Sequence, residues 1–118
     1  VVHGQVHGGV VQGIGQALWE ACRHDPDTAQ LLTASFMDYG MPRAGGLPTF
    51  EFEFNPSPSP SNPLGMKGCG EAGTVGACGA ISNAVLDALA PRGVTHVDMP
   101  LSPSRIWAWL KEADAVAD

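Results

Sequence analysis

A chain of 118 residues with six Lys+Arg against twelve Asp+Glu carries a formal net charge of −6, which argues against nucleic acid and anionic membrane surfaces as partners. The length allows one domain with a modest core, and 15 glycines with 10 prolines, clustered and not spread, point to backbone held close to something. No apolar run reaches the roughly 18–20 residues of a bilayer span and no signal peptide opens the chain. Three cysteines without a C-x-x-C pair fit a reducing, cytoplasmic compartment and no disulfide framework.

Val1-Val2-His3-Gly4 offers neither a Met nor a helix cap, so the chain is expected to begin inside a structural unit. The first helix is expected over about residues 6–21. Val10, Ile14 and Leu18 fall on one spacing, Val6 and Ala17 on another, and Gly9 and Gly13 open a small groove. Gln5, Gln12 and Gln16 share one face of that helix, which is solvated or packs against a neighbour. Internal glycines cost about 0.5–1 kcal/mol each relative to Ala, so Gly8, Gly9, Gly13 and Gly15 need a packing reason.

Residues 31–37 read as an extended candidate leading into Asp38-Tyr39-Gly40-Met41-Pro42-Arg43. Residues 49–54 alternate Phe50, Phe52 and Phe54 with polar neighbours, the clearest strand pattern in the chain. Residues 55–63 form a Pro/Ser tract, expected to be a stiff, polyproline-like connector. A second long helix is expected from Glu71 or Ala72 to Ala90, with Gly73, Gly76, Ala77 and Ala80 as its small side. Residues 95–99 are a short strand candidate, and Ser102 caps a last helix with Pro103 at its first position. The expected fold class is α+β in two layers: two long Gly/Ala-rich helices packed on a small sheet, plus a short third helix, over residues 1–118 as a single domain or fragment.

The run Gly65-Met66-Lys67-Gly68-Cys69-Gly70-Glu71-Ala72-Gly73 sets four glycines around one carboxylate just before the second helix. Glycines allow close approach of a ligand, and a helix start offers N–H donors to an anion. Gly68, Gly70 and Gly73 also spell G-x-G-x-x-G, but residues 62–67 are too Pro/Gly-broken for the strand a dinucleotide site requires. Glu71 is therefore either a first-turn carboxylate favoured by the helix dipole or a positioned general base. His3 and His7 have i, i+4 spacing without a third metal ligand, so no metal site is assigned and exposed histidines are expected.

Three motifs in order carry a resemblance. Gly4-Gln5-Val6-His7-Gly8-Gly9-Val10-Val11-Gln12-Gly13 resembles the Gly/Gln-rich helix of the molybdenum-binding subunit of the xanthine dehydrogenase/aldehyde oxidase family. Asp38-Tyr39-Gly40-Met41-Pro42-Arg43 is similar to its "DY-x-x-P" turn, and residues 64–89 to its "KGxGEAGTVGA…NAVxDAL" segment. The tail with His96-Val97-Asp98-Met99-Pro100 and Arg105-Ile106-Trp107 resembles the carboxyl end of bacterial members, most of all the large subunit of aerobic carbon monoxide dehydrogenases.

The resemblance implies a carboxy-terminal piece of a molybdopterin-binding domain. In the family the Glu of the G-x-G-E segment, matched here by Glu71, takes the proton of a Mo–OH group whose oxygen attacks an electrophilic carbon while hydride passes to a sulfur ligand. It also implies cofactor contacts from Gln5, Gly68, Cys69 and Gly70, and the cytosine dinucleotide form of molybdopterin. The implied partners are the remainder of the molybdenum subunit, iron–sulfur and FAD subunits or domains, a small-molecule substrate and a second copy of the chain. The chain is far shorter than those subunits, so it is expected to be inactive alone. The competing reading is a non-catalytic binding or assembly module whose Gly-rich helices pack against a partner; a dinucleotide-binding loop ranks below it.

Overall fold

The computed structural model describes residues 1–117, with α1 at Val2–Leu18, α2 at Ala72–Leu89 and α3 at Pro103–Ala117. Short 3-10 turns at Ala44–Gly46 and Ala90–Arg92 are the other regular elements described.

The small-residue faces of α1 and α2 meet, and their contacts advance in step. Gln5 reaches Gly70, Gly9 lies on Gly73 and Thr74, and Gly13 lies on Ala77 and Cys78. The helices are therefore parallel, with both N-termini at one end, and residues 19–71 carry the chain back. Glycine is required where they touch. A Cβ on Gly73 would run into the Val6 carbonyl oxygen and stand 2.7 Å from the Val10 nitrogen, and one on Gly13 would overlap the Ala77 methyl. The close approach lets Thr74 Oγ1 donate to the Gly9 carbonyl at 2.9 Å, a helix-to-helix bond a larger residue would prevent. Gly76 and Gly79 face no such demand, since a Cβ there meets nothing within 4 Å.

The far end of the pair holds most of the thin core. Ala17 and Leu101 are buried, and the Leu101 N–H donates to the Ala17 carbonyl at 2.6 Å. Leu89, Val94 and Ala77 complete the buried apolar set. The Asp38-to-Arg43 turn closes on the end of α1: Pro42 presses on Gly15, Gly40 on Trp19, and Tyr39 OH donates to Glu20 at 2.7 Å. Gly93, at φ +86°, takes the left-handed turn that ends the Ala90–Arg92 segment. Arg92 then pairs with Asp114 on α3 at 2.7 Å.

The expected sheet is absent: among the described residues there is no strand, and the fold is all-helical, not α+β. One isolated antiparallel bridge joins His24 to Leu31 across a loop built on Asp25. The physical reason is pairing. A period-two apolar pattern makes a strand only when a neighbour completes its backbone hydrogen bonds; residues 31–37 find only the single bridge at Leu31, and no ladder forms along 49–54 or 95–99. The aromatic face of residues 49–54 is used differently. Phe50 and Phe52 stack on His7 and His3 of α1, with ring centroids 5.2 and 5.6 Å apart. The Pro/Ser connector also bends. Ser59 N–H donates to the Gly65 carbonyl at 3.0 Å, and Gly65 sits at φ +65°.

Much apolar surface stays open. The chain exposes 8724 Å², whereas a compact protein of its mass exposes about 6100 Å². Its radius of gyration is 18.4 Å, against about 13.5 Å for a compact chain of this length. Phe36, Met37, Leu64, Met66, Val75 and Trp107 are among the exposed side chains. The 21-residue segment Ala72–Arg92 contains an 18-residue window of mean hydropathy 1.2, long and apolar enough by composition to cross a membrane, contrary to the expectation that no apolar run reaches that length. One face of this segment is taken by α1.

Candidate functional site

Two of the residues singled out from sequence meet at the N-terminal end of the helix pair. Gln5 Nε2 donates to the Gly70 carbonyl at 2.7 Å, across 65 residues of chain. Glu71 follows directly, at the N-cap position of α2. Its carboxylate makes no capping bond to the helix, so it is not consumed in satisfying free N–H groups there. The Glu71 carbonyl accepts the Thr74 and Val75 N–H groups at 3.0 and 3.1 Å, which fixes its backbone to the first turn.

Gly68 and Gly70 are exposed, and a Cβ at either would meet nothing within 4 Å. Cys69 between them is half-buried, and its carbonyl accepts the Ala72 N–H at 3.3 Å. Gln5, Gly68, Gly70 and Glu71 thus share one solvent-facing edge, at the positive ends of two parallel helix dipoles. Such an edge suits an anionic or phosphate-bearing group. Gly70 lies outside the left-handed region and a Cβ there meets no atom of this chain, so neither backbone sign nor packing within the chain requires glycine at this position.

The other motifs take different places. The Asp38-to-Arg43 turn braces the opposite end of α1, about 15 Å from Gln5 at the rise of an α-helix. Two glutamines of the stripe face the seam: Gln12 and Gln16 lie 3.4 and 3.5 Å from Thr74 Oγ1 and Cys78 Sγ. His3 is exposed, but His7 is half-buried with Nε2 3.0 Å from the Phe50 carbonyl. No cluster of three metal-ligating side chains occurs among the described residues, and all three cysteines are free thiols. The groove lined by Arg92, His96, Trp109 and Asp114 lies beyond the C-terminal end of α2, about 27 Å from Glu71. It borders none of the site residues. Thr74, which ties the Glu71 end of α2 to α1, was not singled out from sequence. Its place three residues after an N-cap carboxylate was the available signal.

The molybdopterin cofactor-binding domain family matches residues 1–48. The carbon monoxide dehydrogenase large chain of Hydrogenophaga pseudoflava is 39% identical over 112 residues, covering 95% of this chain and 14% of the relative. The nicotine 6-hydroxylase large subunit of Paenarthrobacter nicotinovorans is 42% identical over 106 residues, covering 90% of this chain and 13% of the relative. Among solved structures, reconstituted carbon monoxide dehydrogenase from Oligotropha carboxidovorans superposes with a TM-score of 0.90 at 36% identity, over 98% of this chain and 14% of that one. Quinoline 2-oxidoreductase from Pseudomonas putida 86 gives 0.88 at 40% identity, over 94% of this chain and 14% of that one. The chain spans about one seventh of the length of these relatives. Within that span, it belongs with the molybdopterin-binding large subunits of the xanthine dehydrogenase and carbon monoxide dehydrogenase family.

Proposed function

We propose that the Gln5, Gly68–Gly70 and Glu71 edge forms one wall of a molybdopterin site and that Glu71 is the general base of an oxidative hydroxylation. The carrying observation is the 2.7 Å bond that joins Gln5 to Gly70 and sets an uncapped carboxylate at the mouth of two parallel helices. The residues fit such a group: glycines with open space above them, backbone N–H donors, an exposed amide and a carboxylate not used elsewhere. When bound, the molybdenum cofactor, in its cytosine dinucleotide form, supplies the two-electron oxidation.

The chain's own residues do the rest. Glu71 accepts the proton of the attacking hydroxyl, which makes that oxygen nucleophilic toward an electron-poor carbon. Gln5 and the backbone of Gly68, Cys69 and Gly70 bind and orient the cofactor. Water exclusion and substrate selection fall to surfaces beyond this chain, namely the remainder of the molybdenum subunit. Iron–sulfur and FAD partners carry the electrons away, in a cytoplasmic enzyme.

The test is Glu71→Gln in the full-length subunit. The isostere keeps shape and hydrogen bonding but cannot take a proton, so turnover should fall about 10²–10⁴-fold while molybdenum and pterin contents hold. Undiminished turnover at full molybdenum content would refute the assignment. The open apolar surface favours a second reading, an assembly module without chemistry, which would leave activity unchanged in Glu71→Gln while substitutions of exposed Val75 or Met66 disrupted association.

A further inference from the structure

We infer that Gln5 is a positioning residue for Glu71, acting through the Gly70 carbonyl; this rests on Glu71 being the base and adds how its carboxylate is aimed. Glu71 is held on its carboxyl side by the first turn of α2, through the bonds from Thr74 and Val75. On its amino side stands Gly70, a residue without a side chain and with open space around it. Glycine rotates about φ and ψ more freely than any other residue, so this side is a swivel. Gln5 closes it. Gly70 and Glu71 share one trans peptide plane, and a planar peptide moves as a unit. Anchoring the Gly70 oxygen therefore fixes the Glu71 nitrogen and the line from which its side chain departs.

The anchor is itself well founded. Gln5 sits inside α1, its N–H bonded to the Val1 carbonyl at 3.0 Å. One turn further on, Gly9 lies against Gly73 and accepts the hydroxyl of Thr74. The clamp thus transfers the register of the helix seam to the reacting carboxylate. One amide N–H of Gln5 is spent on Gly70, which leaves its second N–H and its oxygen for the cofactor.

The test uses the assembled holoenzyme with Gln5→Met, which keeps length and loses the amide, and Gln5→Asn, which keeps the amide and loses the reach. Both should keep most of their molybdenum, held by the remaining cofactor contacts, and their KM, while kcat per bound molybdenum falls about 10²-fold, the scale of a misplacement near 1 Å. Hydrogen exchange of the peptide spanning residues 68–74 should accelerate in both. In a Glu71→Gln background, Gln5→Met should cost little further, because the carboxylate it aims is gone. Unchanged exchange, a kcat loss that tracks lost molybdenum, or losses that multiply in the double variant would each overturn the inference and leave the base reading standing. Glu71→Gln turning over at the native rate would fail the base reading instead.

Discussion

Replacing Gly73 with Ala tests the helix seam at its tightest point. The added methyl would collide with the Val6 carbonyl and stand 2.7 Å from the Val10 nitrogen and 3.1 Å from the Gly9 carbonyl carbon. These are backbone atoms of a helix, so no side chain can swing aside, and α2 must move off α1. Overpacking of this kind costs about 1–3 kcal/mol, and losing the Thr74-to-Gly9 bond adds about 0.5–1.5 kcal/mol. Helix propensity returns about 0.5–1 kcal/mol. The net is a destabilisation of about 0.5–4 kcal/mol, or a Tm lower by roughly 2–16 °C at the entropy of a domain near this size. Gly76→Ala is the control in the same helix. Its methyl meets nothing within 4 Å, so only the propensity gain of about 0.5–1 kcal/mol remains. Thermal unfolding followed by helical circular dichroism should move in opposite directions for the two variants. A Gly73→Ala chain as stable as Gly76→Ala would refute the close approach of the helices.

Gly70→Val should change stability by less than about 0.5 kcal/mol, as for an exposed position, because its side chain enters open space; in the holoenzyme it should empty the site of molybdenum. A lowered melting point with native molybdenum content would make Gly70 a turn residue only. Tyr39 is pushed up to about 12, first by its hydrogen bond to Glu20 and then by burial and the Glu20 charge. Since the raised value favours the neutral phenol, this stabilisation is complete below about pH 10, the ordinary tyrosine value, and fades as pH rises through 12. Tyr39→Phe should therefore flatten the alkaline limb of a Tm–pH profile, and an unchanged limb would count against the Tyr39–Glu20 bond. The 118-residue chain alone should self-associate through its uncovered apolar side chains and purify without pterin; light scattering and pterin fluorescence read both, and a monomer with stoichiometric pterin would contradict it.

Local chemistry was legible in the sequence where it needed no partner. Pro103 opens α3 as expected and α2 begins at Ala72; of the small side expected on α2, Gly73 and Ala77 form the seam with Gly9 and Gly13, while Gly76 and Ala80 stay exposed. α1 starts about a turn earlier than the apolar spacing suggested and ends at Leu18, where the Glu20 N–H bonds back to the Gly15 carbonyl five residues earlier, breaking the i→i−4 pattern, and the chain turns away. The strand pattern of Phe50, Phe52 and Phe54 was real but answered to a neighbour; here the neighbour is a pair of histidines, not a strand. The parallel direction of α1 and α2 was invisible, since spacing within one helix says nothing about the orientation of another. Without it, Gln5 and Gly70 were two separate entries in a motif and not a bonded pair.

Parallel pairing also sets an order of events during synthesis. The bond from Gln5 to Gly70 waits for 65 intervening positions, which at about 5–20 residues per second takes roughly 3–13 s. Throughout that interval, residues 2–18 are a segment with no partner whose internal glycines, at about 0.5–1 kcal/mol each, weaken an isolated helix. Closing so long a loop is slow compared with local helix formation. The seam, and with it the edge that carries Glu71, is thus a late product of folding, and the nascent amino-terminal half stays open to chaperones or to wrong partners until α2 has been made.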